Sequence, residues 1–280
     1  MFNKKRLIAL LTGTLLVGLL VSGCGSAGAN STSGSRSSKI TVSGSTSVGP
    51  TMEILAEDYQ KENDTTTIEV QQVGSSAGIT NTIDGTSQIG MSSRDLKDEE
   101  KSELKEYQIA IDGIAVITNS ANKVKDLTLQ QVKDIYTGKI TNWKEVGGAD
   151  AEIVVVSRED GSGTRDGFQE IVGFESKDLT SNAQISDGSG NIKTTVQGNE
   201  NAIGYISFGY LDDSINAVKI GGVEPKEENV YNDKYPISRP FLLVTKGEAS
   251  GDAKSFIDYV LSDAGQKTIE KQGFMSVNQK

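Results

Sequence analysis

The 280-residue sequence contains no histidine, and that absence removes two large classes of chemistry. A serine–histidine–aspartate relay has no base, and a metal centre built on imidazole has no ligand. Cysteine occurs once, at Cys24, so no disulfide can form within the chain. Four prolines are too few for a proline-rich linker or recognition segment. Positive charge is also scarce: 28 lysines and arginines face 38 acids, for a net charge of −10. Three of those cations, Lys4, Lys5 and Arg6, lie in the first residues, so the remainder is more acidic still. Such a surface repels a phosphodiester backbone and excludes nucleic acid as a partner. It does not exclude a small buried anion, which is held by local dipoles rather than by net charge. The one sustained apolar run, Leu7 to Val21, is too short and too early for a typical membrane span.

What that run does have is a basic start and the ending Val21-Ser22-Gly23-Cys24, which resembles a bacterial lipobox. The resemblance implies a signal peptide over 1–23, cleavage before Cys24 and lipidation (palmitate included) of that cysteine. An ordinary signal peptide or an N-terminal anchor is the alternative. Gly25 to Ser38 is almost wholly Gly, Ser, Ala, Asn and Thr, so residues 24–38 read as a lipidated cysteine and a flexible tether. The expected location is the outer face of the cell membrane.

From Lys39 onward, extended and helical patterns alternate. Lys39 to Ser43, Thr67 to Val73 and Gln88 to Met91 read as strands, and Ile109 to Thr118 as extended chain. Met52, Leu55, Ala56 and Tyr59 mark one helical face, Leu129, Val132, Ile135 and Tyr136 another. Ala253, Phe256, Ile257, Val260 and Leu261 form the clearest amphipathic helix, read as covering the first part of the fold. Trp143 and Tyr136 read as packing residues. Strands alternating with helices favour an α/β fold with parallel pairing, in which ligands sit beyond the carboxyl ends of the strands.

The loops at those ends share one chemistry: Ser45-Thr46-Ser47, Ser75-Ser76, Ser92-Ser93-Arg94, and Arg158 through Thr164. In the last, the strand residues Val154, Val155 and Val156 run into Arg158, then a Gly/Ser turn, then a helical pattern through Phe168, Ile171 and Val172. Strand, glycine turn and helix aim free backbone N–H groups and the positive end of a helix dipole at an anion. Arg158 adds a planar fork that matches an oxyanion. Asp187-Gly188-Ser189-Gly190 repeats the Asp-Gly-Ser-Gly turn, again before a helical pattern. A desolvated tetrahedral oxyanion accepts about a dozen hydrogen bonds, which donors from several strand ends supply without a metal. The Gly161-to-Arg165 turn lacks the Gly-Lys-Ser/Thr ending of a P-loop, and Ser162 has no histidine to activate it. A serine–lysine pair stays formally open.

With Gly44-Ser45-Thr46, Gly74-Ser75-Ser76, Ile135 to Ile140 with Trp143, Arg158 to Thr164, and Ala202-Ile203-Gly204-Tyr205 in that order, the chain resembles the phosphate-binding proteins of bacterial phosphate ABC transporters. The resemblance covers nearly all of 39–280. It implies a two-lobed periplasmic-binding-protein-like fold (type II) with hinge crossings near Ile117 and Ser238 and the anion in the interlobe cleft. Each lobe would be a mixed, mostly parallel sheet flanked by helices, one made of 39–118 with 240–280 and the other of 119–239. Implied phosphate ligands are Thr46, the backbone N–H of Ser47, Ser75, Arg158, Ser162, Gly163 and Thr164, with Asp160 orienting Arg158. Where many members carry an aspartate that accepts the phosphate proton, this chain has Ser93 followed by Arg94, and both are counted as candidate ligands. The implied role is a monomeric receptor without catalytic activity, metal or cofactor, which delivers inorganic phosphate to permease subunits. A receptor for sulfate or molybdate, and more remotely a surface phosphatase-like or adhesive protein, are the competing readings.

Overall fold

The computed structural model describes residues 38–279; the expected signal peptide, Cys24 and most of the expected tether lie outside them. Strand β1 (Ser38–Gly44) alternates Ile40 and Val42 inward and leads into α1 (Gly49–Glu62). Pro50 starts that helix with its φ already set and no N–H to satisfy. Its buried face is the expected Met52, Leu55, Ala56 and Tyr59. Then come β2 (Thr66–Gln72), α2 (Ser75–Ile83), β3 (Ile89–Ser92), the short α3 (Asp98–Lys101) and the 16-residue β4 (Leu104–Asn119). The middle of the chain holds β5 (Asp126–Leu127), α4 (Leu129–Tyr136), β6 (Val154–Arg158), α5 (Gly163–Val172), β7 (Gln184–Ser186), α6 (Gly188–Gln197), β8 (Ala202–Ser207), β9 (Ile215–Ala217), β10 (Lys219–Ile220) and α7 (Glu227–Tyr231). The chain closes with β11 (Ser238–Lys246), α8 (Gly251–Leu261), α9 (Asp263–Lys271) and β12 (Met275–Ser276).

Strand order along the main sheet is β2-β1-β3-β11-β4-β8-β6-β7. Pairing is parallel at the ends, β1 with β2 and β3, and β6 with β7 and β8. It is antiparallel in the middle, where β11 pairs β3 and β4, and β4 pairs β8. The fold is therefore α/β with a mixed sheet. Two large hydrophobic cores flank the central strands, with a smaller cluster of Ile79, Leu96, Leu104, Leu242 and Val244 beside them. The first gathers Val42, Met52, Leu55, Ile109, Phe241, Leu243 and Phe256. The second gathers Ile114 to Ile117, Tyr136, Trp143, Phe168, Tyr205 and Ile237. The C-terminal helices α8 and α9 contribute Phe256, Ile257, Val260 and Ile269 to the first core, at about 1.5–3 kcal/mol for each such side chain taken out of water.

The change of core in β4 falls between Ala110 and Ile114, and where the chain enters β11 between Ile237 and Phe241. The first point is earlier than the expected crossing near Ile117, which lies fully inside the second core. The apolar run through β4 is unbroken by any turn, so its pattern does not mark the change except at Asp112-Gly113. There the Phe208 ring packs against Gly113, where a Cβ would come 2.4 Å from a ring atom.

Candidate functional site

Four helices begin at the carboxyl ends of four parallel strands: α1 after β1, α2 after β2, α5 after β6 and α6 after β7. Each helix directs unpaired N–H groups and the positive end of its dipole beyond the sheet. Local geometry explains the repeated Asp-Gly-Ser-Gly turn: Gly161 and Gly188 both sit in the left-handed region, at φ +81° and +72°. That conformation strains any residue with a Cβ. It delivers Ser162 to the N-cap of α5, where its Oγ accepts from the Arg165 N–H at 3.2 Å, and Ser189 to the first turn of α6.

Arg158 ends β6 with only 1% of its surface exposed. Its backbone is held by Tyr205, whose hydroxyl accepts from the Arg158 N–H at 3.1 Å and lies 2.8 Å from Ser157 Oγ. Tyr205 is itself stacked on Phe168 of α5 with ring centroids 4.0 Å apart. Nε and Nη2 donate to the two carboxylate oxygens of Glu159, at 2.7 and 2.6 Å. The opposite edge donates to three hydroxyls: Nη2 to Thr46 Oγ1 at 3.0 Å, and Nη1 to Thr164 Oγ1 at 3.2 Å and Ser189 Oγ at 3.4 Å. Ser47 Oγ lies 2.9 Å from Thr164 Oγ1 and 3.5 Å from Ser189 Oγ. The hydroxyls of Thr46, Ser47, Thr164 and Ser189 thus meet around one guanidinium.

A second group adjoins the first. Ser45 Oγ donates to Ser93 Oγ at 2.8 Å, the Ser93 N–H donates to Ser75 Oγ at 3.1 Å, and the two hydroxyls of Ser75 and Ser93 are 3.3 Å apart. Both rest on Gly163, where a Cβ would come 2.3 Å from Ser75 Oγ and 2.7 Å from Ser93 Oγ. All these serines and threonines except Thr46 are buried. The surface cleft of about 290 Å3 beside Tyr231 and Met275 meets these groups only through Arg239. Among the described residues no cluster of acids and sulfur or imidazole ligands could hold a metal ion.

Three expectations change. Asp160 does not orient Arg158; its carboxylate is 91% exposed and pairs with Arg165 Nη1 at 2.6 Å, while Glu159 holds the Arg158 fork. Arg94 does not face the hydroxyls. Its fork is taken by the carboxylates of Asp166 and Glu100, with the Asp95 carbonyl and Ser76, rather than by the hydroxyls around Arg158. Finally, the Ser47 N–H donates to Ser45 Oγ at 3.2 Å, so Ser47 offers its hydroxyl to the cluster instead.

The structure also places residues here that the loop pattern did not single out: Ser189, Glu159, Tyr210 and Arg239. Tyr210 donates to the Thr46 carbonyl at 3.0 Å. Arg239 reaches Ser47 Oγ from Nη2 at 3.3 Å and is paired with Asp112. Burial pushes the Asp112 carboxyl up and the Arg239 guanidinium down, and their mutual attraction works against both shifts. A signal for that pair exists in the sequence, namely one acid inside the apolar stretch 109–117 of β4 and one base beside the apolar stretch 240–244 of β11. In Glu159, burial raises the carboxyl but the hydrogen bonds and charge of Arg158 outweigh it and hold it below its ordinary value.

A family model for the PBP superfamily domain matches residues 29–264. The chain is 37% identical to the phosphate-binding protein PstS of Bacillus subtilis, over 98% of this chain and 94% of that one. It resembles the crystal structure, with bound phosphate, of a Clostridium perfringens protein assigned as a phosphate ABC transporter substrate-binding protein. The identity is 63% and the TM-score 0.84, over 85% of this chain and 99% of that one. A crystal structure of an ABC-type phosphate transport receptor from Vibrio cholerae matches at 39% identity and a TM-score of 0.75, over 85% and 100% of the two chains.

Proposed function

The chain belongs to the PBP superfamily, among the phosphate-binding proteins of phosphate ABC transporters, and from that membership we propose how its own residues capture inorganic phosphate for a permease. It is a transport receptor with a two-lobed fold, not an enzyme. The lobes follow the two cores, the first from β1–β3, α1, α2, α8 and α9, and the second from the segment between the β4 and β11 crossings.

The observation that carries the site is the meeting of Arg158 with hydroxyls from three separate helix starts, Thr46, Thr164 and Ser189. A hydroxyl has one proton and two lone pairs, so each can accept from Arg158 and still donate onward. A phosphate oxygen entering among them takes the guanidinium edge in place of Thr46 and Thr164 and receives their protons. Ser47 and Ser189 add donors, as do the free N–H groups of Gly163 and Thr164 at the start of α5. Ser162 caps that helix through a lone pair and keeps its proton to donate, and Ser75 and Ser93 add hydroxyls from the far side, against Gly163. Glu159 holds Arg158 in plane and balances its charge before the anion arrives.

Calorimetric titration with inorganic phosphate tests this reading, together with an assay for turnover of a phosphate ester. Saturable binding without turnover is expected; absent binding would overturn it. Sulfate is a specific competitor to include. Among the described residues no carboxylate contacts the Ser93 hydroxyl, and the neighbouring Asp95 is exposed; the Ser45 and Ser75 hydroxyls beside Ser93 can donate to sulfate as well as accept the phosphate proton. A large sulfate excess should weaken the apparent phosphate affinity.

Attachment to the outer face of the membrane through a lipid on Cys24, and a monomeric state, belong to the same reading. The lipobox-like Val21-Ser22-Gly23-Cys24 supports the first. No helix among the described residues is long and apolar enough to cross a membrane. Cys24→Ala should shift the protein from the membrane fraction to the medium, and mass spectrometry of the native N-terminus should show an acylated cysteine. A native chain without acyl groups would refute the anchor.

A further inference from the structure

Arg239 lies where β11 passes from one core to the other, directly opposite Asp112 in the antiparallel register. Its Nε and Nη2 both donate to Asp112 Oδ2, at 3.1 and 2.9 Å. Asp112 Oδ1 accepts from Ser207 Oγ at 2.9 Å and from the Phe208 N–H at 3.2 Å, so the carboxylate is fixed from the other side. Both members of the pair are buried. Desolvation of two such charges largely cancels their attraction, and an apolar pair of similar volume serves stability as well or better. Stability therefore does not explain a full charge at this point.

The remaining edge of the guanidinium does. Nη1 donates to the Ser93 backbone carbonyl at 3.0 Å and Nη2 to Ser47 Oγ at 3.3 Å, so Arg239 touches a residue of each cluster, one through its backbone and one through its hydroxyl. A continuous path runs from Arg158 Nη1 to Thr164 Oγ1 (3.2 Å), on to Ser47 Oγ (2.9 Å), and back to Arg239 Nη2 (3.3 Å). Two guanidinia face each other with only two hydroxyl oxygens between them. We propose that Arg239 is the second anion-binding guanidinium of this site, opposed to Arg158, with Asp112 as its positioning residue. The inference rests on the phosphate reading above and extends it. A tetrahedral dianion presents different oxygens in different directions, so two forks on opposite sides do not compete for the same lone pairs. Because Arg239 belongs to a strand that crosses between the cores, the anion also touches the crossing itself.

Arg239→Met alone would leave Asp112 buried and unpaired, so the informative variant is Arg239→Met combined with Asp112→Asn. Its amide oxygen can still accept from Ser207 and Phe208. Arg239→Lys is the second variant, which keeps the charge and the partner but loses the fork. Inorganic phosphate is titrated by calorimetry against wild type and both variants, and circular dichroism and melting are recorded without phosphate. The double variant should keep the wild-type spectrum and a cooperative melt while its phosphate affinity falls about ten- to a hundredfold, the range for losing hydrogen bonds from a charged donor. Arg239→Lys should fall about fivefold or more. A merely structural Arg239 would shift melting and leave affinity alone. Wild-type affinity in the double variant, or in Arg239→Lys should the double variant not fold, overturns the inference. Failure of the wild-type protein itself to bind phosphate overturns the phosphate reading, and this inference with it.

Discussion

Arg158 combines near-complete burial with a carboxylate on one edge and three hydroxyls on the other, and this division predicts how its variants behave. Arg158→Ala removes the guanidinium that an oxyanion would share with those hydroxyls. Phosphate affinity should drop by about 2–5 kcal/mol, roughly thirty- to several-thousandfold, in a calorimetric titration of a still-folded protein. Arg158→Lys should lose much of this too, since an ammonium cannot span Glu159 and the hydroxyls in one plane. Near-normal affinity in the alanine variant would move the site elsewhere. Glu159 carries a pH signature. Its folded value lies below the ordinary 4.5, so its contribution is complete above that pH and is lost as the pH falls through the lower folded value. Acid melting of Glu159→Gln should therefore show a shallower loss of stability below about pH 4.5 than the wild type; superimposable profiles would mean that the Glu159 pairing contributes nothing to stability. Arg158, Ser162 and Thr164 are legible in sequence because they share one turn, whereas Thr46 and Ser189 reach the fork from separate turns. Glu159 and Asp160 were not separable, because adjacent carboxylates in a turn point apart and only the fold decides which one meets the fork. Arg94 was misread for a related reason: its partners Glu100 and Asp166 lie 6 and 72 residues away.

Among the elements, α5 is the one most constrained at its start. Gly161 needs the left-handed region, Ser162 caps, and Gly163 has no room for a side chain against Ser75 and Ser93. Gly163→Ala should leave both cores intact, because every contact it crowds lies between them. Its methyl group would hold the α5 start away from the α2 start, and overpacking of this kind costs about 1–3 kcal/mol, or roughly five- to a hundredfold in phosphate affinity. An alanine variant with unchanged affinity and melting would mean that the two starts are not in contact in solution. Periodicity located α1, α4, α5 and α8 well, since each buries a stripe on one side. The repeated Asp-Gly-Ser-Gly turn was visible as a sequence but not as a donor: that Ser189 reaches Arg158 and Ser47 depends on Gly204, whose missing side chain lets Ile192 and Val196 of α6 pack close on β8.

For the whole molecule, the α/β class followed from alternating patterns, but the antiparallel centre of the sheet did not, since strand pairing across 100 residues or more leaves no local trace. That centre matters for motion, because β4 runs through both cores and the chain changes core again on entering β11, so any relative movement bends these two segments. Few contacts outside the hydroxyl cluster join the two sides. The Ser76 N–H donates to the Gly161 carbonyl at 3.1 Å, and Arg94 reaches across from its own Glu100 to Asp166 of α5, with Nε 3.1 Å from Oδ2. If the two sides close on the anion as proposed, the Arg94–Asp166 pair is a latch on the closed form. Asp166→Asn leaves Arg94 paired with Glu100, so no buried charge is orphaned and folding should be unaffected. Asp166 is one-third exposed, which limits the lost attraction to about 0.5–1 kcal/mol and the expected loss of phosphate affinity to about two- to fivefold. The loss arises because a ligand that binds the closed form pays for whatever fraction of molecules is open. Small-angle scattering should show a smaller radius of gyration for both proteins at saturating phosphate, with the variant needing more phosphate to reach it. Identical phosphate midpoints would remove the latch, and a radius that phosphate leaves unchanged in the wild type would remove closure itself.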